Sequence, residues 1–275
     1  MRVKEIIKRI IWRMTKGVPR KEDYTLKGGV KLYWSKMISP PENLGDYLST
    51  VVTPHFVPNL TKGKRGKTLF SIGSILGFRC QNAVVWGSGI LNESPVYLEK
   101  IKLSSLDIRA VRGPKTRKIL LEIGIDCPEV YGDPAVLMPY IYQPKKTDKK
   151  YKVSVVLHYE FNKFNIPQDI DIHFINIRTT DYETFIDEIA QSEVVISSSL
   201  HGIILSETYG TPAILMREKE ANLFKYDDWY HSTGRYDVKV ARSIKEAVSM
   251  QPMPLPDLTK MQQNLIEAFP EDLWW

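Results

Sequence analysis

The chain has 275 residues, of which 43% are hydrophobic and 25% are charged. A chain of this size and composition buries one large core or two of ordinary size, which excludes a wholly disordered protein. Its formal net charge is +6, but residues 1–21 hold eight Lys and Arg and one acid, whereas the remainder holds 30 basic and 31 acidic residues. The balanced remainder argues against a nucleic acid as partner.

The two cysteines, Cys80 and Cys127, lie outside CxxC and His-paired metal patterns. Two thiols in a chain of this length predict reduced, packed side chains and a cytoplasmic location, and a single disulfide stays open. The sequence has no run of about 18 apolar residues, so no transmembrane helix is expected. Basic residues interrupt the N-terminal apolar positions and no small-residue cleavage site follows, so no signal peptide is expected.

The first predicted element is a basic amphipathic helix within residues 1–21. Apolar residues recur at helical spacing from Val3 to Met14, and Lys and Arg fall largely on the other face. Such a helix can lie on an anionic membrane through residues 1–16, which would place the protein on the inner face of the cell membrane. It can equally dock on the core of the protein with a solvated basic face, and the sequence leaves both interpretations open.

Residues 22–140 predict a first Rossmann-like domain. Short apolar runs, each followed by small or polar residues, predict strands at 29–34, 68–72, 83–86 and 107–111, with helices at 47–53 and 115–123. A repeated order of strand, turn and helix is typical of a parallel sheet with helices on both faces. Because ligands bind at the carboxyl ends of such strands, the turns there become the candidate site.

The second half repeats this pattern after a lysine-rich segment, 141–151, that is predicted to be a linker. Strands are predicted at 152–158, 172–177, 194–197 and 213–216, with helices at 182–191 and 202–209. Residues 152–252 thus form a second predicted Rossmann-like domain, and residues 253–275 a helical segment able to pack back across the cleft. The predicted fold class is α/β.

The strongest candidate for an active site is the turn SSSLHG at residues 197–202. An imidazole transfers protons near neutral pH, and a helix N-terminus favours a bound anion. We predict that His201 acts as general acid and base, beside substrate-binding Ser198, Ser199 and Leu200. Asp46, as a further catalytic residue, or Glu207 is expected to orient His201 or the acceptor.

Turns at the other strand ends supply further candidates, each with a structural alternative. Glycines let a backbone approach a ligand, their N–H groups suit anionic oxygens, and guanidinium, amide and carboxylate groups form directed hydrogen bonds. Tight packing, helix capping and structural salt bridges are the competing explanations. The candidates are Asn43, Gly45, Asp46, Gly73, Ser74, Gly87, Ser88, Gly89, Arg109, Arg112 and Asp133.

Two reaction classes lack their motifs. No HxH or HExxH pattern accompanies His158 or His201, so no metal site is predicted. No GxSxG elbow is present, which argues against a Ser–His–Asp hydrolase.

Taken together, these motifs resemble the polysaccharide pyruvyl transferase family in their order and spacing. The matching segments are NLGDYLS (43–49), SIGS (71–74), VVWGSGI (84–90), IRAVRGPKTRKILLEIGI (108–125), VYGDPAVLMP (130–139) and EVVISSSLHGIILSETYGTPAIL (193–215). The resemblance implies a GT-B-like fold, with two Rossmann-like domains facing a cleft. It also implies transfer of the enolpyruvyl unit of phosphoenolpyruvate to a sugar of a surface polysaccharide precursor, giving a pyruvate ketal. Phosphoenolpyruvate is the donor substrate, with no further cofactor expected, and a lipid-linked saccharide, with galactose as one candidate sugar, is the expected acceptor.

The resemblance assigns the family's RGP arginine to Arg112, which is expected to be a catalytic residue, and its LH pair to Leu200 and His201. Family members often have an arginine directly before that pair, where this chain has Ser199. The anion is therefore expected to find another anchor, for which the candidates are Arg178, Arg217 and Lys36. Two alternatives stay open, namely a GT-B glycosyltransferase that uses a nucleotide sugar and a non-catalytic peripheral member of a glycan assembly complex.

Overall fold

The computed structural model describes residues 24–37, 40–59, 66–78, 81–145, 147–159, 167, 169–217 and 221–275. The predicted N-terminal helix, with its membrane contact through residues 1–16, and Cys80 lie outside these residues. The other thiol, Cys127, is free and buried, and burial raises its pKa to about 12.

The first sheet contains five strands in the order β1-β2-β3-β4-β5. The strands are β1 (Tyr24–Thr25), β2 (Lys31–Tyr33), β3 (Thr68–Phe70), β4 (Ala83–Trp86) and β5 (Leu106–Ala110). Strand β1 is antiparallel to β2, and all other neighbours are parallel. Every side chain of β4 is buried, because an inner strand of a parallel sheet is covered on both faces.

The second sheet contains four parallel strands in the order β7-β6-β8-β9. The strands are β6 (Tyr151–Val156), β7 (His173–Phe174), β8 (Ser192–Ser197) and β9 (Ala213–Leu215). The register pairs Ser197 with Val156 on one side and with Leu215 on the other. Strand β8 is thus central, and the turn carrying His201 leaves its carboxyl end.

The described residues also form nine α-helices and three short 3-10 helices. The α-helices are α1 (Leu44–Tyr47), α2 (Ser49–Phe56), α3 (Pro95–Lys102), α4 (Pro114–Glu122), α5 (Tyr182–Ala190), α6 (Leu200–Thr208), α7 (Phe224–Ser232), α8 (Ile244–Ser249) and α9 (Thr259–Glu267). The 3-10 helices are Lys27–Gly29, Pro134–Tyr140 and Glu271–Trp274. Within the described ranges no helix combines the length and apolar character needed to cross a bilayer.

The C-terminal helices return to the first half of the chain. Helix α7 packs against α4, and α9 packs against the 3-10 helix Pro134–Tyr140. The indole N–H of Trp86, at the end of β4, donates to the carbonyl of Leu265 in α9 at 2.7 Å. One continuous core includes side chains of both sheets and of α9. The C-terminal segment therefore joins the two halves around the strand ends.

The structure confirms the α/β class with parallel sheets. It corrects several boundaries, the most important of which is the start of α6, at Leu200 and not at Gly202. His201 therefore lies inside the first turn of that helix. Strand β1 and helices α3, α7 and α8 were not predicted, and the division into two domains with a linker stays a prediction.

Candidate active site

A cleft of about 480 Å³ lies at the carboxyl ends of the strands. Residues that follow five strands of the two sheets line it, including Ser35, Gly73, Ser74, His158, Ser199 and Arg217. Its position is the one at which open parallel sheets bind ligands, so the predicted location of the site agrees with the geometry.

His201 is held between the two halves of the chain at the wall of this cleft. Its side chain is 8% exposed, and its Nε2 atom lies 3.5 Å from the buried Oδ2 atom of Asp133. On the other side the imidazole ring lies directly against Gly45, where a Cβ atom would overlap the Nδ1 and Cγ atoms. Gly45 therefore acts through its lack of a side chain, which lets helices α1 and α6 approach each other.

The serines before His201 have different tasks. The Ser197 hydroxyl accepts a hydrogen bond from the Ser199 N–H group and lies 3.0 Å from the Val156 carbonyl oxygen. The Ser198 hydroxyl accepts from the N–H group of His158 at 2.8 Å. Both hydroxyls hold the turn to β6, and among the three serines it is Ser199 that lines the cleft, together with Leu200.

Asn43 and Asp46 also line the cleft, in the turn that the sequence predicted to bind a ligand. The Asn43 amide donates to Asp46 Oδ2 at 2.6 Å, which fixes the carboxylate at the first turn of α1. Asp46 is the single carboxylate of the wall within the described residues.

Three cations line the cleft, namely Lys100, Arg217 and Lys225. The Arg217 guanidinium lies 5.6 Å from the centre of the Tyr226 ring and donates to the Ser198 carbonyl at 3.3 Å. The Lys225 ammonium lies 5.1 Å from the centre of the same ring. An excess of cations over carboxylates favours an anionic ligand. The sequence suggested Arg217, but Lys100 and Lys225 were missed because they belong to the unpredicted helices α3 and α7.

Aromatic side chains also line the cleft. The Tyr97 hydroxyl accepts from the N–H groups of Gly77 at 2.9 Å and Leu91 at 3.3 Å, and burial raises the pKa of Tyr97. The imidazole of His158 stacks on Tyr159 with 4.4 Å between ring centres. Aromatic faces with nearby polar groups are typical of pockets for small polar ligands.

The structure corrects the role expected for Arg112. Its side chain is fully buried and forms an ion pair with the equally buried Asp228 at 3.0 Å. The same guanidinium donates to the Ser74 hydroxyl at 2.6 Å and to the Ile90 carbonyl at 2.8 Å. These partners occupy the donors of the Arg112 guanidinium and hold it beneath the cleft. Arg112 contacts the cleft wall through its hydrogen bond to the Ser74 hydroxyl.

Gly87, Ser88 and Gly89 also lie beneath the cleft and do not line it. Gly87 has a φ of +87°, and a Cβ atom on Gly89 would overlap the Arg112 guanidinium. The Ser88 hydroxyl donates to the Gly73 carbonyl at 2.8 Å. The packing explanation therefore replaces the anion-binding one, since these residues support the turn that carries Gly73.

Two further candidates have structural partners outside the wall. Arg109 pairs with Asp107 at 2.7 Å and with Asp272 at 2.9 Å, and hydrogen bonding to Asp107 raises its pKa. Arg235 binds both oxygens of the buried Glu207, at 2.6 and 2.8 Å, so Glu207 does not orient His201.

Two of the candidate anion anchors also stand away from the wall. Arg178 donates to the Pro41 carbonyl at 3.2 Å and pairs with Asn43 through the backbone. The Lys36 ammonium lies 5.3 Å from the centre of the Trp34 ring. Arg217 is thus the candidate that the structure brings to the cleft.

No group of three or more His, Cys, Asp or Glu side chains within the described part of the chain is arranged to hold a metal ion.

Two known proteins are similar to this chain in sequence. The succinoglycan biosynthesis protein ExoV of Rhizobium meliloti (strain 1021) is 27% identical over 214 residues, which are 74% of this chain and 64% of that protein. The uncharacterized protein L143 of Acanthamoeba polyphaga mimivirus is 27% identical over 154 residues, or 53% of this chain and 52% of that protein. The chain thus spans between half and two thirds of the length of these relatives.

The family model for polysaccharide pyruvyl transferases matches residues 45–220. This range includes Gly45, Asp133, the SSSLHG turn and Arg217. The chain belongs to the polysaccharide pyruvyl transferase family.

Proposed function

We propose that the chain transfers the enolpyruvyl unit of phosphoenolpyruvate to a sugar of a surface polysaccharide precursor, forming a pyruvate ketal. The observation that carries this proposal is His201 at the wall of a cleft with three cations and one carboxylate, in a member of this family. The name of the Rhizobium relative, a succinoglycan biosynthesis protein, supports a polysaccharide as the acceptor class.

The charges of the cleft suit phosphoenolpyruvate, which carries a carboxylate and a phosphate. Arg217 offers a planar set of donors to either group, and Lys100 and Lys225 are further cations of the wall. The first turn of α6 adds backbone N–H groups at the positive end of a helix of nine residues. These groups would take over the anchoring task of the arginine that Ser199 replaces.

His201 would supply the proton that starts the reaction. The imidazolium gives a proton to the methylene carbon of phosphoenolpyruvate, and the double bond's electron pair forms the new C–H bond. A sugar hydroxyl adds to the resulting cationic carbon and returns its proton to His201. Phosphate then leaves with the electron pair of its C–O bond, a second hydroxyl closes the ring, and its proton goes to phosphate.

The acceptor would bind beside Asp46 and the aromatic side chains of the cleft wall. The Asp46 carboxylate can accept a hydrogen bond from a sugar hydroxyl, and the aromatic side chains Tyr159 and Phe78 offer faces to a sugar ring.

A lipid-linked acceptor, with galactose as a candidate sugar, would meet the enzyme at the inner face of the cell membrane. Residues 1–16 would hold the protein there. Deletion of these residues is expected to weaken binding to anionic vesicles, most strongly at low salt. Unchanged binding would contradict the proposed membrane contact.

A product assay tests the reaction. The chain is incubated with phosphoenolpyruvate and lipid-linked saccharides, and released phosphate and acceptor mass are measured together. We expect equal amounts of phosphate and of acceptor carrying the added ketal group. Phosphate without a modified acceptor, or no turnover with a panel that includes galactose-containing acceptors, would contradict the proposal.

A thermal-shift assay separates this proposal from the glycosyltransferase alternative. Phosphoenolpyruvate is expected to raise the melting temperature, because a ligand that binds only the native state stabilises it. Stabilisation by nucleotide sugars alone would favour glycosyl transfer.

A further inference from the structure

A fully buried carboxylate lies directly behind the imidazole of His201. Asp133 Oδ2 and His201 Nε2 are 3.5 Å apart. Both atoms are shut off from solvent, and within the described ranges neither forms a hydrogen bond, so the 3.5 Å contact between them is longer than a formed one. Asp133 does not line the cleft, so its carboxylate can act on a substrate only through His201.

We propose that Asp133 is a positioning residue that keeps a proton on Nε2 of His201 and thereby makes Nδ1 the nitrogen that exchanges a proton with substrate. The position of the proton is inferred from this contact and from the burial of both atoms. The catalytic consequence rests on the proposed function.

The carboxylate is fixed from its other side. Asp133 Oδ1 accepts the N–H group of Ala135 at 3.0 Å, as the N-cap of the 3-10 helix Pro134–Tyr140. The preceding Gly132 has a φ of +142°, and a Cβ atom there would overlap Met261 and Leu265 of α9. Because the turn is packed against α9, Oδ2 cannot turn away toward another donor.

The ring is fixed as well. It lies in the first turn of α6, with Nδ1 beside Gly45 and Nε2 toward Asp133. A half-turn of the ring would bring a carbon to the carboxylate and leave a buried oxygen unpaired, which is costly in a protein interior. Nε2–H donation to Oδ2 is the arrangement that satisfies both atoms.

The arrangement defines the two protonation states of His201. The neutral ring has its proton on Nε2 and a lone pair on Nδ1, which lies on the Gly45 side beside the wall formed by Asn43 and Asp46. The imidazolium has protons on both nitrogens. When Nδ1 gives its proton to the methylene carbon, the N–H electron pair stays on Nδ1 and the ring need not rotate.

The variant Asp133→Asn tests the position of the proton. The Ala135 N–H group keeps the amide oxygen as its acceptor, so the amide NH2 group faces Nε2 and needs a lone pair there. The proton of the neutral ring is then expected to move to Nδ1. Since the amide has the shape of the carboxylic acid and keeps the N-cap, the variant is expected to fold.

Long-range 1H–15N spectra of the histidine-labelled full chain measure the tautomer directly, with the His201 signal identified by its loss in His201→Asn. We expect the Nε2–H form in the wild type and in the control Asp126→Asn, an exposed carboxylate, and the Nδ1–H form in Asp133→Asn. An Nδ1–H form in the wild type, or no change in Asp133→Asn, would overturn the proposal.

Kinetics tests the catalytic consequence. Asp133→Asn is expected to lower kcat at least about 100-fold, as the wrong histidine tautomer does in other enzymes. The KM for phosphoenolpyruvate should change by less than about threefold, because Asp133 does not line the cleft. A tautomer change without loss of kcat would refute the positioning role. If the wild type does not convert phosphoenolpyruvate, the proposed function fails, while the spectra still decide where the proton lies.

Discussion

Two turns of the molecule carry residues that the sequence marked as catalytic, and the structure gives them different tasks. The turn after β8 presents His201 to the cleft, whereas the turn after β5 carries Arg112 into a buried ion pair with Asp228. Both turns follow the carboxyl end of a parallel strand. The difference arises because α7 packs on the second turn and supplies a carboxylate that neutralises the guanidinium. A strand-end position therefore indicates a site only where no other element covers it.

The largest expected effect is for the turn that carries His201 and lines the cleft. His201→Asn should lower kcat for ketal formation by about 100- to 10,000-fold, the usual contribution of a general acid or base. His55→Asn is the matched control, because His55 is exposed and lies outside the cleft wall. Activity near that of the wild type in His201→Asn would end the assignment of the acid and base.

A substitution in the turn that carries Arg112 should instead lower the stability of the protein. Arg112→Met leaves the Asp228 carboxylate buried without its cation, so we expect the free energy of unfolding to fall by about 3–5 kcal/mol. Urea denaturation measures this loss. The control Arg109→Met removes a partly exposed ion pair and should cost about 0–1 kcal/mol. Equal losses in both variants would show that Arg112 does not have the buried structural role described above.

A third variant tests where the anion binds. Arg217→Met should raise the KM for phosphoenolpyruvate about 10- to 100-fold, because a hydrogen bond to a charged group contributes about 1.5–3 kcal/mol. Arg178→Met removes another candidate arginine that the structure places away from the cleft wall, and its KM should stay close to that of the wild type. The opposite order, measured by saturation kinetics, would move the anion site toward Arg178.

The sequence predicted those features that short segments determine. The strands β2 and β4, the helix α5 and the SSSLHG turn follow from local apolar patterns and turn residues. Asn43, Gly45, Asp46 and His201 were each predicted as site residues because they lie in turns that follow strands, where parallel sheets bind ligands.

Contacts between distant segments could not be predicted in the same way. Asp228 meets Arg112 across 116 residues, and it belongs to α7, whose sequence FKYDDWYHS lacks a clear apolar stripe. Lys225 belongs to the same helix. The contact between Asp133 and His201 depends on how the two halves of the chain pack, and no local pattern in the sequence of either motif predicts it.

A crystal structure of the chain with bound phosphoenolpyruvate tests the contrast between the two turns most directly. We predict that the methylene carbon lies next to Nδ1 of His201, that the ligand's anionic groups contact Arg217, and that Arg112 stays paired with Asp228. A ligand that draws Arg112 away from Asp228, or that turns its methylene carbon away from His201, would contradict the account.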